Sequence, residues 1–124
     1  MAICGCGAAV NAAWTAPTEI SAASSNERST PRIVRGSAGD LYTVYIDKGS
    51  PWTVWFRQKS AAGNWGPVEM VSGTSAGSTR PDVTEDGQHR PHILYAQYLT
   101  DGKLDLVHAY KSNGAWITTV LNAT

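Results

Sequence analysis

Residues 59–65 read Lys59-Ser60-Ala61-Ala62-Gly63-Asn64-Trp65, and residues 111–116 read Lys111-Ser112-Asn113-Gly114-Ala115-Trp116. The second stretch is one residue shorter, and both reach a Trp through a Gly-bearing turn. Trp14, Trp65 and Trp116 are spaced 51 and 51 residues apart. Around them the match widens. Trp14-Thr15-Ala16-Pro17-Thr18-Glu19-Ile20-Ser21 aligns with Trp65-Gly66-Pro67-Val68-Glu69-Met70-Val71-Ser72, with one shift near the Pro. Ser29-Thr30-Pro31-Arg32-Ile33 then matches Thr79-Arg80-Pro81-Asp82-Val83. A Gly turn follows, at Gly39 or Gly87. Leu41-Tyr42-Thr43-Val44-Tyr45 finally matches Pro91-His92-Ile93-Leu94-Tyr95. Several matches at one period mark a tandem structural repeat.

Each unit holds four short runs rich in Val, Ile, Tyr, Trp or Thr, bounded by Gly, Asn, Asp, Ser or Pro. They are 31–35, 41–47, 52–59 and 65–72, then 81–85, 91–98, 103–111 and 116–122. Asp101-Gly102 and Asn113-Gly114 are hairpin-turn dipeptides, and Asp86-Gly87 separates the first two runs of the second unit. Pro31 and Pro81 stand at strand starts, where a missing N–H costs least. Nowhere do apolar residues recur at helical spacing between caps, so no long helix is predicted.

The predicted fold class is therefore all-β: two tandem four-stranded antiparallel blades of the β-propeller type, plus a spare N-terminal strand. The predicted organisation is a tail over 1–13, an extra outer strand over 14–21, a first repeat over 22–72 and a second over 73–124. Two blades cannot close a ring, since propellers use roughly four to eight. An open pair would leave apolar faces in water. The expected partner is thus the chain itself, as a dimer or trimer that completes the ring; the alternative expectation is a fragment of a longer propeller that folds poorly alone. The spare strand is expected to compete with residues 116–122 for one outer position.

Composition narrows the partners. Lys and Arg number 10, Asp and Glu 10, so the formal net charge is zero. Such a chain has no long-range field to draw in nucleic acid or an anionic surface. No apolar run approaches the roughly 18 residues of a membrane helix, so no membrane insertion is expected. Cys4 and Cys6 flank Gly5 outside the repeats. A disulfide two residues apart would be strained, and one Cys-x-Cys pair is too few ligands for zinc. They read as free thiols of a loose tail. Neither a metal nor any other cofactor is expected. Residues 1–13 lack a basic start and a full apolar core. They read as the remnant of an export signal or as a disordered start. The expectation leans to secretion or the cell surface.

Over residues 14–122 the chain resembles the blades of bacterial sialidase-like (BNR-type) propellers. The resemblance rests on a Trp-Pro strand ending in Ser, a Ser-x-x-Pro strand, a Gly turn, a strand ending in Tyr, and Lys-Ser-x-Gly-x-Trp. That last turn is similar to the Asp-box of those proteins, with Ala62 or Asn113 at the Asp position and Asn64 or Ala115 before the Trp. This degeneracy makes the resemblance speak for fold rather than activity. The architecture and the Trp-bearing turn also resemble small two-blade lectins that trimerise into six-bladed rings.

Sialidase chemistry would need clustered Arg, a Tyr–Glu pair and an acid. Here the Arg and Tyr residues fall at recurring repeat positions, and Asp82, Glu85 and Asp86 share a turn. No enzyme activity is expected. Trp65 and Trp116, with Trp14, Gly63, Gly114, Tyr45 and Tyr95, read as structural repeat positions. Trp52 and Trp55 are not repeated. Three apart on a strand, they face opposite sides, and a ring beside Arg57 would suit a sugar's C–H face. Arg80 and Asp82, flanking Pro81, and His92 complete the candidate ligand residues. The functional expectation is a non-catalytic, lectin-like carbohydrate-binding module. The alternatives are a protein-interaction or surface module without sugar binding, and a degenerate sialidase-like glycoside hydrolase.

Overall fold

Arg28–Arg35 (β1), Leu41–Asp47 (β2), Thr53–Lys59 (β3) and Glu69–Met70 (β4) pair in the order β1-β2-β3-β4. Ser78–Glu85 (β5), Pro91–Tyr98 (β6), Leu104–Ser112 (β7) and Ala115–Val120 (β8) form a second sheet in the order β5-β6-β7-β8. The computed structural model describes residues 16–22 and 24–121. Every named pairing is antiparallel, and no helix occurs among the described residues. The chain is all-β, in two four-stranded antiparallel sheets.

The repeat read from sequence is a repeat of register. Arg28 pairs Asp47, and fifty positions on, Ser78 pairs Gln97. Tyr42 pairs Gln58 as His92 pairs Tyr110. The β1–β2 turn closes through Gly36 N to Asp40 O (2.8 Å) and Gly39 N to Gly36 O (3.0 Å). The β5–β6 turn repeats it, through Asp86 N to Arg90 O (3.0 Å) and His89 N to Asp86 O (3.1 Å). Gly39 takes φ +95°, a left-handed conformation that suits glycine, while its counterpart His89 sits at +60°. Both first strands begin earlier than the prolines suggested. Thr30 (φ 47°) and Arg80 (φ 53°) form bulges before Pro31 and Pro81, where the register shifts and the strand continues backwards. A bulge removes the ladder bond that proline cannot donate.

One expected strand breaks up. Over 65–72, Trp65 makes only an isolated bridge to Lys59, and regular pairing returns at Glu69–Met70. Pro67 has no N–H to give β3. The corresponding stretch of the second sheet carries Ile117 and Thr118 instead, and β8 runs unbroken over Ala115–Val120. The spare outer strand is not formed over its described part: residues 16–21 have no strand pairing. Arg57 Nη1 holds that segment by donating to Glu19 O (3.2 Å) and Ile20 O (3.1 Å). Trp14 and Thr15 of that expected strand, and the tail with Cys4 and Cys6, lie outside the described residues.

The core lies between the sheets. Tyr42, Val44, Ile46, Val54 and Phe56 of the first share one buried cluster with Val83, Ile93, Tyr95, Val107 and Ala109 of the second. Alternation along β2 and β3 puts the first five on a single face. This burial is the main stabilising term of the two-sheet unit. Val71 joins the cluster as the chain crosses between sheets, its N–H donating to Val54 O at 2.8 Å. Ser72 Oγ accepts from Val54 N at 2.8 Å, so the crossing segment is fastened to β3 on both sides of its path.

Candidate functional site

A groove of about 260 Å³ runs along the seam between the sheets, lined by Gln58, Ser60, Asn64, Trp65, Pro67, Glu69 and Lys111. The Gly63 turn positions Trp65: Ser60 N donates to Asn64 O (2.9 Å), and Gly66 N donates to Gln58 O (2.8 Å). Arg57 lies over the Trp65 ring at 5.4 Å and Lys59 at 5.7 Å, yet neither lines the groove. Arg57 is further tied by donating from Nε to Gly66 O at 2.8 Å. From the second sheet, Lys111 reaches across to Glu69, with Nζ to Oε1 at 2.6 Å. The groove thus joins an indole, an exposed amide at Asn64 and a charged pair that can donate and accept.

Trp116, the repeat counterpart of Trp65, is used differently. Its ring meets Phe56 edge-on at 5.0 Å and 71°. Its Nε1 is buried without a hydrogen-bond partner among the described residues, and Lys111 Nζ stands 5.7 Å over the ring. The broken strand at Pro67 leaves Trp65 outside the core, and the unbroken β8 carries Trp116 into it.

The candidate residues named from sequence are scattered. Trp55 lines a pocket of about 400 Å³ with Tyr45, Asn26 and Asp47, and spends its Nε1 on Thr53 Oγ1 at 2.8 Å. Trp52 lies elsewhere, beside Gly77 and Tyr98, with Lys48 Nζ 5.2 Å over its ring. The two indoles share no pocket. Arg57 belongs with Trp65 rather than with Trp55. Arg80 is exposed at its bulge, and Asp82 Oδ1 accepts from the neighbouring Val83 N at 2.9 Å.

Asp82 and His92 do line one shallow pocket, with Val83, Thr84 and Leu94. His92 Nε2 meets Asp86 Oδ2 at 2.8 Å, and His92 Nδ1 meets His108 Nε2 at 2.8 Å. Tyr110 stacks on both rings, at 5.9 and 5.7 Å. The His92 contact, first, and bonds from Arg90 and Gln88 hold the Asp86 carboxyl well below the usual carboxylate range. Ionised, Asp86 only accepts. In a neutral imidazole, His92 then donates from Nε2 and accepts at Nδ1, which makes His108 Nε2 the donor. Sequence spacing hid this chain, because only the β6–β7 register brings His92 to His108.

A second cluster has the residue types of a hydrolytic triad without its wiring. Ser37 Oγ lies 3.0 Å from His89 Nδ1, and Glu85 Oε1 lies 3.2 Å from the same nitrogen. A triad needs the acid and the nucleophile on opposite imidazole nitrogens. Here both compete for one. Among the described residues no group of His, Cys, Asp and Glu is arranged to hold a metal ion. No protein-family model matches the chain, and neither a curated protein nor a solved structure matches it.

Proposed function

We propose that this chain is a non-catalytic carbohydrate-binding module, its two sheets acting as propeller-type blades in a ring completed by further copies. The observation that carries the reading is the Trp65 groove. A sugar offers an apolar C–H face to an indole and hydroxyls to flanking polar groups. Trp65 supplies the ring, and Asn64, Glu69 and Lys111 supply donors and acceptors on both walls of the seam. The groove, at about 260 Å³, is small for a ligand pocket, so monovalent affinity is expected to be weak. Repetition around a ring would raise it by avidity.

The test is a glycan array on the full chain, followed by titration of any hit against Trp65→Ala and Glu69→Gln. Binding that both substitutions abolish supports the reading. Array silence, or binding indifferent to both, overturns it in favour of a protein-interaction module. Turnover of a fluorogenic glycoside would overturn the non-catalytic part.

A further inference from the structure

The packing between the sheets has a direction. The first sheet presents the face of Tyr42, Val44 and Ile46, and the second receives it on the face of Val83, Ile93 and Tyr95. Each sheet therefore has a front that enters and a back that receives. The register repeat then identifies two surfaces outside this interface: the front of the second sheet, and the back of the first, which residues 16–22 cross in part.

These surfaces complement each other. On the front of the second sheet, Leu94 stands where Val44 stands in the first, and it is 41% exposed while Val44 is fully buried. On the back of the first sheet, Ile33 stands where Val83 stands in the second, and it is 61% exposed against 7%. A predominantly apolar pocket of about 420 Å³ opens beside it, walled by Ile20, Pro31, Ile33 and Tyr45. Its counterparts inside the molecule, Val71, Val83 and Tyr95, share the core cluster with Val44 and Ile46. Residues 16–22 cross this back face and leave Ile33 open. The seat exists, and the side chain that fills its counterpart has no equivalent there.

Size and charge follow the same correspondence. Ile46 becomes the smaller Ala96 on the front and Val107 the larger Trp55 on the back, while Phe56, Ile93 and Ala109 become the polar His108, Thr43 and Arg57. Glu85, gripped by Tyr42 inside the molecule, has exposed Arg35 as its counterpart, and Tyr42 has His92, which is bonded to Asp86. Docking in the internal geometry brings Arg35 of a second copy toward the Asp86 carboxylate.

We propose that the front of the second sheet docks on the back of the first sheet of another copy, head to tail, with Leu94 entering the Ile33–Tyr45 pocket. The contact is heterologous, so its repetition closes a ring where the rotation between copies closes and extends a filament where it does not. This inference rests on the blade reading above but not on sugar binding. A chain that assembles and binds no glycan sinks only the carbohydrate reading.

Sedimentation velocity on the full chain over a concentration series tests it, using wild type, Leu94→Asp, Ile33→Asp, their equimolar mixture, and Arg35→Glu. Leu94, Ile33 and Arg35 are exposed, and near-ultraviolet circular dichroism checks that each variant keeps its packing. Wild type is expected as one species at two or three times the 13.2 kDa chain. Each Asp variant is expected to be monomeric. Their mixture should give a 1:1 pair, because each variant retains the face that the other has lost. Arg35→Glu should weaken assembly about tenfold. A monomeric wild type, an Asp variant that assembles alone like wild type, a mixture that stays monomeric, or unchanged assembly of Arg35→Glu would each overturn the docking as described.

Discussion

Tyr42, on the first sheet, donates its hydroxyl to Oε1 of Glu85, on the second, at 3.1 Å. The same hydroxyl lies 3.2 Å from His89 O. Ser37 completes the clasp, donating from its backbone N (2.7 Å) and from Oγ (3.0 Å) to Glu85 Oε2. The Ser37 backbone N–H is the main reason the Glu85 carboxyl sits below its ordinary range. Burial, reinforced by Glu85, pushes the Tyr42 hydroxyl up to about 12. The two turns that the sequence repeats are thereby locked to each other at one end of the core.

The clasp leaves little room. A Cβ at Gly36 would stand 2.6 Å from Glu85 Oε1 and 2.9 Å from the Tyr42 ring. Gly36→Ala is therefore expected to push the clasp apart. Tyr42→Phe, which removes only the hydroxyl, should cost about 1 kcal/mol. Urea unfolding at constant slope reads both. A Gly36→Ala midpoint equal to wild type would mean that the turn yields freely and the clasp is not a constraint.

Acid and alkali should both weaken this clasp, through groups shifted in opposite directions. Glu85 and Asp86 titrate lower in the folded chain than in the unfolded one. Their contribution is thus complete above the ordinary carboxylate range and falls away as the pH drops through the folded values. Tyr42 runs the other way. Its contribution is complete below pH 10 and is lost between 10 and about 12, as the unfolded phenol ionises first. Tyr45 and Tyr95 are also raised by burial. Tyr42→Phe should accordingly remove only part of the alkaline loss, and Glu85→Gln should flatten the acid limb. Urea midpoints across pH check both slopes.

The β7–β8 hairpin turns through Asn113 (φ 49°) and Gly114 (φ 80°), the pair of left-handed residues that a type I′ turn requires. Asn tolerates that region better than Ala does. Asn113→Ala should cost about 1 kcal/mol, and Asn113→Gly should be near neutral. Thermal unfolding of both variants checks the order. Equal stability of Asn113→Ala and wild type would mean that the turn has another accessible form.

Strand positions were legible where alternation and punctuation agree. Leu41–Asp47 and Pro91–Tyr98 were read from sequence with those same bounds, because each is a β-branched and aromatic run between a Gly-bearing or Pro-bearing turn and a polar loop. The bulges were not legible, since Thr30 and Arg80 are ordinary residues that turn left-handed where the register shifts. The groove was not legible as a site. Trp65 stood out as a structural repeat position, and its partners Glu69 and Lys111 lie 42 residues apart and meet only across the seam. Trp52 and Trp55 misled for the opposite reason. They are neighbours in sequence, and the turn before β3 separates them.

Trp65 and Trp116 give the sharpest contrast, because sequence makes them equivalent and the fold does not. Trp116 closes over Phe56, so Trp116→Ala should open a void in the core and cost about 2–3 kcal/mol. Trp65 makes one bridge outside the regular strands and lies beneath two cations. Exposed cation–ring contacts are worth about 0.5–1 kcal/mol. Trp65→Ala should therefore lower stability by no more than about 1 kcal/mol, while abolishing any glycan response. Paired urea titrations and binding isotherms separate the two roles. If both substitutions destabilise equally, Trp65 is a second core residue, and the groove loses the ring on which its binding role depends.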